Sequence, residues 1–112
     1  MLRGGLFENM VIIELKKYAL NHAIDVDFRF FRDAYGNEVD LILDFGSRVK
    51  ALEIKSAETL KTDFTKGIEL FGRLFGVDKG YVVYGGNSPV NEVRGFCAVN
   101  PLDADFARSI ME

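Results

Sequence analysis

Two apolar segments joined by a two-residue turn constrain this chain more than any other feature. In the run from Glu38 to Phe45, Val39, Leu41, Leu43 and Phe45 alternate with Glu38, Asp40, Ile42 and Asp44, which is the period of a strand. A second apolar run extends from Val49 to Lys55, and Gly46-Ser47 reverses the chain between the two. With Gly46 and Ser47 as the loop, facing residues of the hairpin have numbers that sum to 93, so Asp40 lies opposite Glu53. Lys55 shares the Glu53 face with Val49 and Ala51, whereas Leu52 and Ile54 point the other way. Carboxylates about 5 Å apart at the end of an apolar strip repel each other strongly. Either one of them binds a proton or a hard cation bridges them.

The flanking segments extend the hairpin into an α/β domain with a mixed sheet. Leu6 to Leu20 reads as a helix with Phe7, Val11, Leu15 and Tyr18 near one stripe. Asp27 to Arg32 has strand character, and Ala34-Tyr35-Gly36-Asn37 supplies the turn into the Glu38 segment, giving a three-stranded meander. After Ser56 the pattern Ile68, Leu70, Phe71, Leu74 and Phe75 is that of an amphipathic helix ending at Gly76. A strand over Tyr81 to Tyr84 follows and stops at Gly85-Gly86 and Pro89. Phe96 to Val99 is a further strand candidate and Asp103 to Met111 a closing helix. The order is helix-strand-strand-strand-helix-strand, and 112 residues without repeat or linker fit a single domain over 1–112.

Composition removes several functional classes. At 48% hydrophobic and 28% charged residues the chain has the profile of an ordered domain rather than a disordered one. Cys97 is the sole cysteine and His22 the sole histidine, which excludes an internal disulfide and a zinc cluster and points to a reducing, cytoplasmic setting. No apolar stretch approaches the roughly 20 residues of a membrane span. A net charge of −3 argues against a broad basic surface, although Arg29, Arg32, Arg48, Lys50 and Lys61 are candidates to line a local nucleic-acid path. Phe30, Phe31 and Tyr35 are free to pack or to stack on bases.

The acidic residues point to metal chemistry. Oxygen-only ligands favour magnesium or manganese, and an ion held by Asp40 and Glu53 would polarise a phosphate while Lys55 positions a water or stabilises the transition state. Glu8 borders the packing face of the first helix and is able to add another oxygen; it is equally explained as a helix-start carboxylate, and Glu14 is the competing inward acid. Phosphodiester hydrolysis is the natural reaction class. An Asp followed later by Glu-x-Lys is a weak pattern alone, and the register is what strengthens it.

Taken together, Gly5-Leu6-Phe7-Glu8-Asn9-Met10-Val11, Phe31-Arg32-Asp33, Gly36-Asn37-Glu38-Val39-Asp40, Leu52-Glu53-Ile54-Lys55-Ser56 and Lys66-Gly67-Ile68 resemble the uncharacterised C-terminal domain of bacterial and archaeal AAA+-type ATPases. That domain is similar to the PD-(D/E)XK nuclease superfamily, with its restriction-endonuclease-like core. The resemblance covers roughly Gly4 to Gly86. It implies Asp40 and Glu53 as ligands of Mg2+ or Mn2+, Lys55 as the catalytic lysine and Glu8 as the first-helix acid, with Lys66 a substrate contact by analogy. It also implies a DNA substrate, cut by endo- or exonucleolytic hydrolysis, and an ATPase partner. No phosphate-binding Gly-x-x-x-x-Gly-Lys-Ser/Thr loop occurs, so no nucleotide site is expected in this chain, which reads as a C-terminal fragment of a longer ATPase-containing protein. A homo-oligomer is compatible with these features. The alternative function is a catalytically inactive module that binds nucleic acid or docks a partner protein.

Overall fold

A computed structural model describes residues 2–86 and 92–112, with side chains from residue 5 onward. The first helix, α1, spans Leu2–Asn21, and the strands β1 (Asp27–Arg32), β2 (Glu38–Asp44) and β3 (Val49–Lys55) follow as a meander. A single 3-10 turn, Thr62–Thr65, leads into α2 (Lys66–Phe75), and β4 (Lys79–Tyr84), β5 (Glu92–Val93), β6 (Phe96–Val99) and α3 (Phe106–Met111) complete the chain. The strands form one open mixed sheet in the order β1-β2-β3-β4-β6-β5. The meander is antiparallel, while β3, β4 and β6 run parallel. The chain therefore continues past the expected helix-strand-strand-strand-helix-strand order. The added β5 is a two-residue strand that pairs with β6 at the sheet edge and carries too little periodicity to be read from sequence. Pro89, expected to help end β4, lies outside the described residues.

Each sheet face is covered by different helices. Val11, Leu15 and Ala19 of α1 and Phe106, Ile110 and Met111 of α3 pack with Leu41, Leu43, Leu52, Ile54, Tyr81 and Val83. On the other face Ile68 and Phe71 of α2 meet Ala51, Ile42 and Val39. Each fully buried side chain of this size contributes about 1.5–3 kcal/mol relative to exposure, so the stripe read from α1 is sufficient to dock it. In α2 the outcome differs from expectation: Leu74 and Phe75 remain mostly exposed, and the helix ends as expected at Gly76, whose φ of 84° suits a glycine.

The hairpin register is as the turn dictates. Leu41 pairs with Leu52, Ile42 with Ala51, Leu43 with Lys50 and Asp44 with Val49, so paired numbers sum to 93. Gly46 supports the reversal with a φ of 89°, and its N–H donates to Asp44 Oδ1. One step of the expected alternation fails. Across β1, Arg29 faces Ile42 but Phe31 faces Val39, so two residues of β2, Asp40 and Leu41, oppose the single residue Phe30. This bulge reverses the side-chain parity of β2. Val39 packs on the α2 face, opposite to Leu41 and Leu43, with which it alternates in sequence.

Candidate functional site

The bulge sits at Asp40, where the backbone ladder between β2 and β3 gives way to a side-chain contact. Asp40 Oδ2 accepts the Ile54 N–H at 2.7 Å, so the carboxylate caps the open end of the hairpin and is fixed against β3. Burial raises the Asp40 carboxyl above its ordinary value, with the Ile54 N–H and Lys55 opposing and Glu38 adding to the rise.

Glu53 is the most perturbed acid in the site. It is only 5% exposed, in the middle of a strand otherwise buried from Lys50 to Ile54. Its Oε2 lies 3.6 Å from Lys55 Nζ, while its Oε1 is buried without a hydrogen-bond partner. Burial and then the Asp40 charge push its carboxyl up to about 8, against the pull of Lys55 and the Asp40 backbone. Buried oxygens are nearly always paired, so an orphan carboxylate oxygen beside a second carboxylate needs a proton or a cation.

The residues around Asp40 and Glu53 come from β3, the 3-10 turn, α2 and α1, with Glu8 of α1 acting on the Asp40 side. Lys55 is partly exposed, and its Nζ lies 5.8 Å from the centre of the Phe64 ring in the 3-10 turn. Gly67, in the first turn of α2, passes so close that a Cβ there would lie 2.0 Å from the Glu38 carbonyl oxygen and 3.4 Å from Glu53 Oε1. Only glycine allows α2 to seat here. Glu8 on α1 is half-buried, and burial, then Asp40 and Glu38, raise its carboxyl, with Lys55 opposing. Because α1 begins at Leu2, Glu8 lies beyond the first turn, where the helix dipole no longer accounts for it. Glu14, the competing acid, is exposed and pairs with Lys17 at 3.5 Å.

Glu8, Asp40, Glu53 and Lys55 thus form one electrostatically connected group, and Glu38 belongs to it. Glu38 and Gly67 carried no assigned role in the sequence. The Glu38-Val39-Asp40 spacing signals the first, since alternate strand residues are neighbours, whereas nothing local signals the close approach of α2. Among the described residues no three His, Cys, Asp or Glu side chains converge as a ready-made metal cage. Magnesium does not require one, because it commonly takes one or two carboxylates and completes its shell with water and phosphate oxygens. Asp40 and the orphaned Glu53 oxygen fit that requirement.

Other candidate residues lie elsewhere. Lys66 is exposed and faces a groove with Asn37, Thr62 and Arg73. Lys50 cannot line a nucleic-acid path: it is 5% exposed, and its ammonium donates to the Ile110 carbonyl and lies 5.6 Å and 5.8 Å from the ring centres of Phe45 and Tyr81. Phe31 is used in packing, edge-on to Phe71 at 5.3 Å, whereas Phe30 and Tyr35 are exposed. His22 stacks on Tyr18 at 3.9 Å. Among the described residues no helix is long and apolar enough to cross a membrane.

No curated protein and no solved structure matches the chain. One family model matches residues 3–102, nearly the whole sequence and all four residues of the acidic site, and the chain belongs to that family, described as a domain of unknown function (DUF4143).

Proposed function

We propose that this domain is a metal-dependent phosphodiester hydrolase acting on DNA, with a site of the PD-(D/E)XK type on a restriction-endonuclease-like core. The observation that carries the proposal is the buried Glu53 carboxyl, its Oε1 unpartnered and its proton held to about 8, beside Asp40 and within 3.6 Å of Lys55. The meander followed by α2 and a parallel β4 supports the fold assignment. A folded chain that keeps such a carboxyl buried loses stability at neutral pH, and a binding role offsets that loss.

Asp40 and Glu53 would hold Mg2+ or Mn2+, which supplies Lewis-acid polarisation of the phosphate and a more acidic water. Asp40 is fixed by the Ile54 N–H, so its free oxygen is oriented before the ion arrives. Lys55, 3.6 Å from Glu53 Oε2, would donate to the attacking water or to the phosphate as negative charge builds on it. Glu8, with its raised carboxyl, adds an oxygen or accepts a proton on the open side. The water oxygen forms the new P–O bond, one ester P–O bond breaks, and the departing oxygen takes a proton. An AAA+-type ATPase partner is part of this proposal through the sequence resemblance, and the single free cysteine fits a cytoplasmic setting.

The test is cleavage of single-stranded, double-stranded and branched DNA with magnesium or manganese. Activity is expected to disappear in Asp40→Ala, Glu53→Ala and Lys55→Ala with circular dichroism unchanged. Cleavage that survives all three substitutions refutes the site. A second reading, a docking module on the same scaffold, draws on Leu6, Met10, Ile13 and Leu20, which leave an exposed apolar stripe along α1. It expects partner binding to be indifferent to Asp40→Ala and to be lost on Ile13→Asp.

A further inference from the structure

The acidic site opens on one side into a groove of about 410 Å³ between α1 and the β1-β2 hairpin. Glu8, Glu38 and Asp40 line it, together with Lys16, Phe30 and Arg32. Phe28 packs on the α1 face of the sheet, so by strand alternation Phe30 and Arg32 project from that same face. Phe30 is 72% exposed and, among the described residues, stacks on no other ring. Lys16 is exposed with no acidic partner among the described residues, its ammonium 5.5 Å from the Phe28 ring centre. Arg32 is exposed, its Nε paired with Glu38 Oε2 at 3.3 Å as an ion pair.

We propose that this groove is the track of a single nucleic-acid strand, with a base stacked on Phe30 and phosphates on Lys16 and Arg32. An aromatic face beside phosphate-binding cations is useful only to a strand whose bases are unstacked, because a duplex hides its base faces. The groove has room for one nucleotide-sized group. The bulge contributes directly. It places Asp40 opposite Phe30, so a nucleotide on the ring has its phosphodiester beside the acids. The track deepens the hydrolase proposal by defining its substrate as single-stranded, but strand binding stands on the groove alone.

Fluorescence anisotropy tests this with Asp40→Asn, which keeps the strand intact, using an unstructured labelled oligonucleotide as DNA, as RNA and as the corresponding duplex, with magnesium present. Single strands of DNA, RNA or both are expected to bind, with the duplex at least roughly tenfold weaker. Adding Phe30→Ala is expected to weaken strand binding by roughly tenfold, and Phe30→Trp to restore it. Lys16→Ala is expected to lower the salt dependence by about 0.7. Duplex binding as tight as strand binding, or strand binding indifferent to both Phe30→Ala and Lys16→Ala, overturns the proposal. The two proposals fail separately. Phe30-dependent binding without cleavage by the unaltered domain refutes the hydrolase and leaves the track, whereas cleavage unaffected by Phe30→Ala refutes the track and leaves the hydrolase.

Discussion

Replacing Glu53 by Gln is expected to stabilise the metal-free domain, by an amount that grows as pH rises from about 4.5 and is complete above about 8. In the unfolded chain this carboxyl titrates near 4.5, and in the folded chain near 8. Between those values the unfolded chain has released a proton that the folded chain retains, so stability falls as pH rises through the window. At about 1.4 kcal/mol per pH unit, the loss reaches about 5 kcal/mol once pH exceeds both values. That is comparable with the whole stability of a small domain, roughly 5–15 kcal/mol. The substituted glutamine keeps the shape, carries no charge and offers its amide to the Asp40 carboxylate, so the penalty disappears. Urea unfolding followed by circular dichroism at about pH 5 and about pH 9 measures the difference. The variant and the unaltered domain should coincide at the acid end, and at the alkaline end the variant's midpoint should be higher by roughly 2 M or more. Equal midpoints at both pH values would mean that Glu53 titrates normally, and would refute a buried, cation-seeking carboxyl.

Three further outcomes follow from the same contacts. Lys55→Met should raise the Glu53 carboxyl further, since Lys55 opposes the effects of burial and Asp40, and carboxyl-carbon NMR titration reads the direction. Gly67→Ala should destabilise by about 2–4 kcal/mol, because its Cβ would meet the Glu38 backbone oxygen at 2.0 Å and α2 must shift away from Glu53; thermal unfolding and the Glu53 titration should both move. Lys50→Ala should cost about 2–3 kcal/mol in thermal unfolding by removing a buried stem and freeing the Ile110 carbonyl, while leaving metal binding at Asp40 unchanged.

Much of this arrangement was legible in the chain, and the part that was not has a physical cause. Gly46-Ser47 is a local signal with a geometric consequence, and it was enough to set the register from Leu41 against Leu52 onward. The stripe through Val11 and Leu15 was equally local, and both residues are fully buried. The bulge at Asp40 was not legible, because no glycine or proline marks it and the alternation of Val39 with Leu41 reads as unbroken. The contribution of Gly67 was hidden for a different reason. It depends on how closely α2 approaches β2, which is a tertiary distance with no periodic trace in the sequence. Lys50 shows the same limit: alternation places it on the Leu52 face, but only the packing of α3 decides that its ammonium is buried.

The most direct test of a cation site at Asp40 and Glu53 is a calorimetric titration of the domain with manganese. Saturable binding of about one ion is expected, abolished by Asp40→Ala and by Glu53→Gln, with a proton released below about pH 8 in the unaltered domain. Absence of binding, or binding of equal strength in both variants, would contradict it.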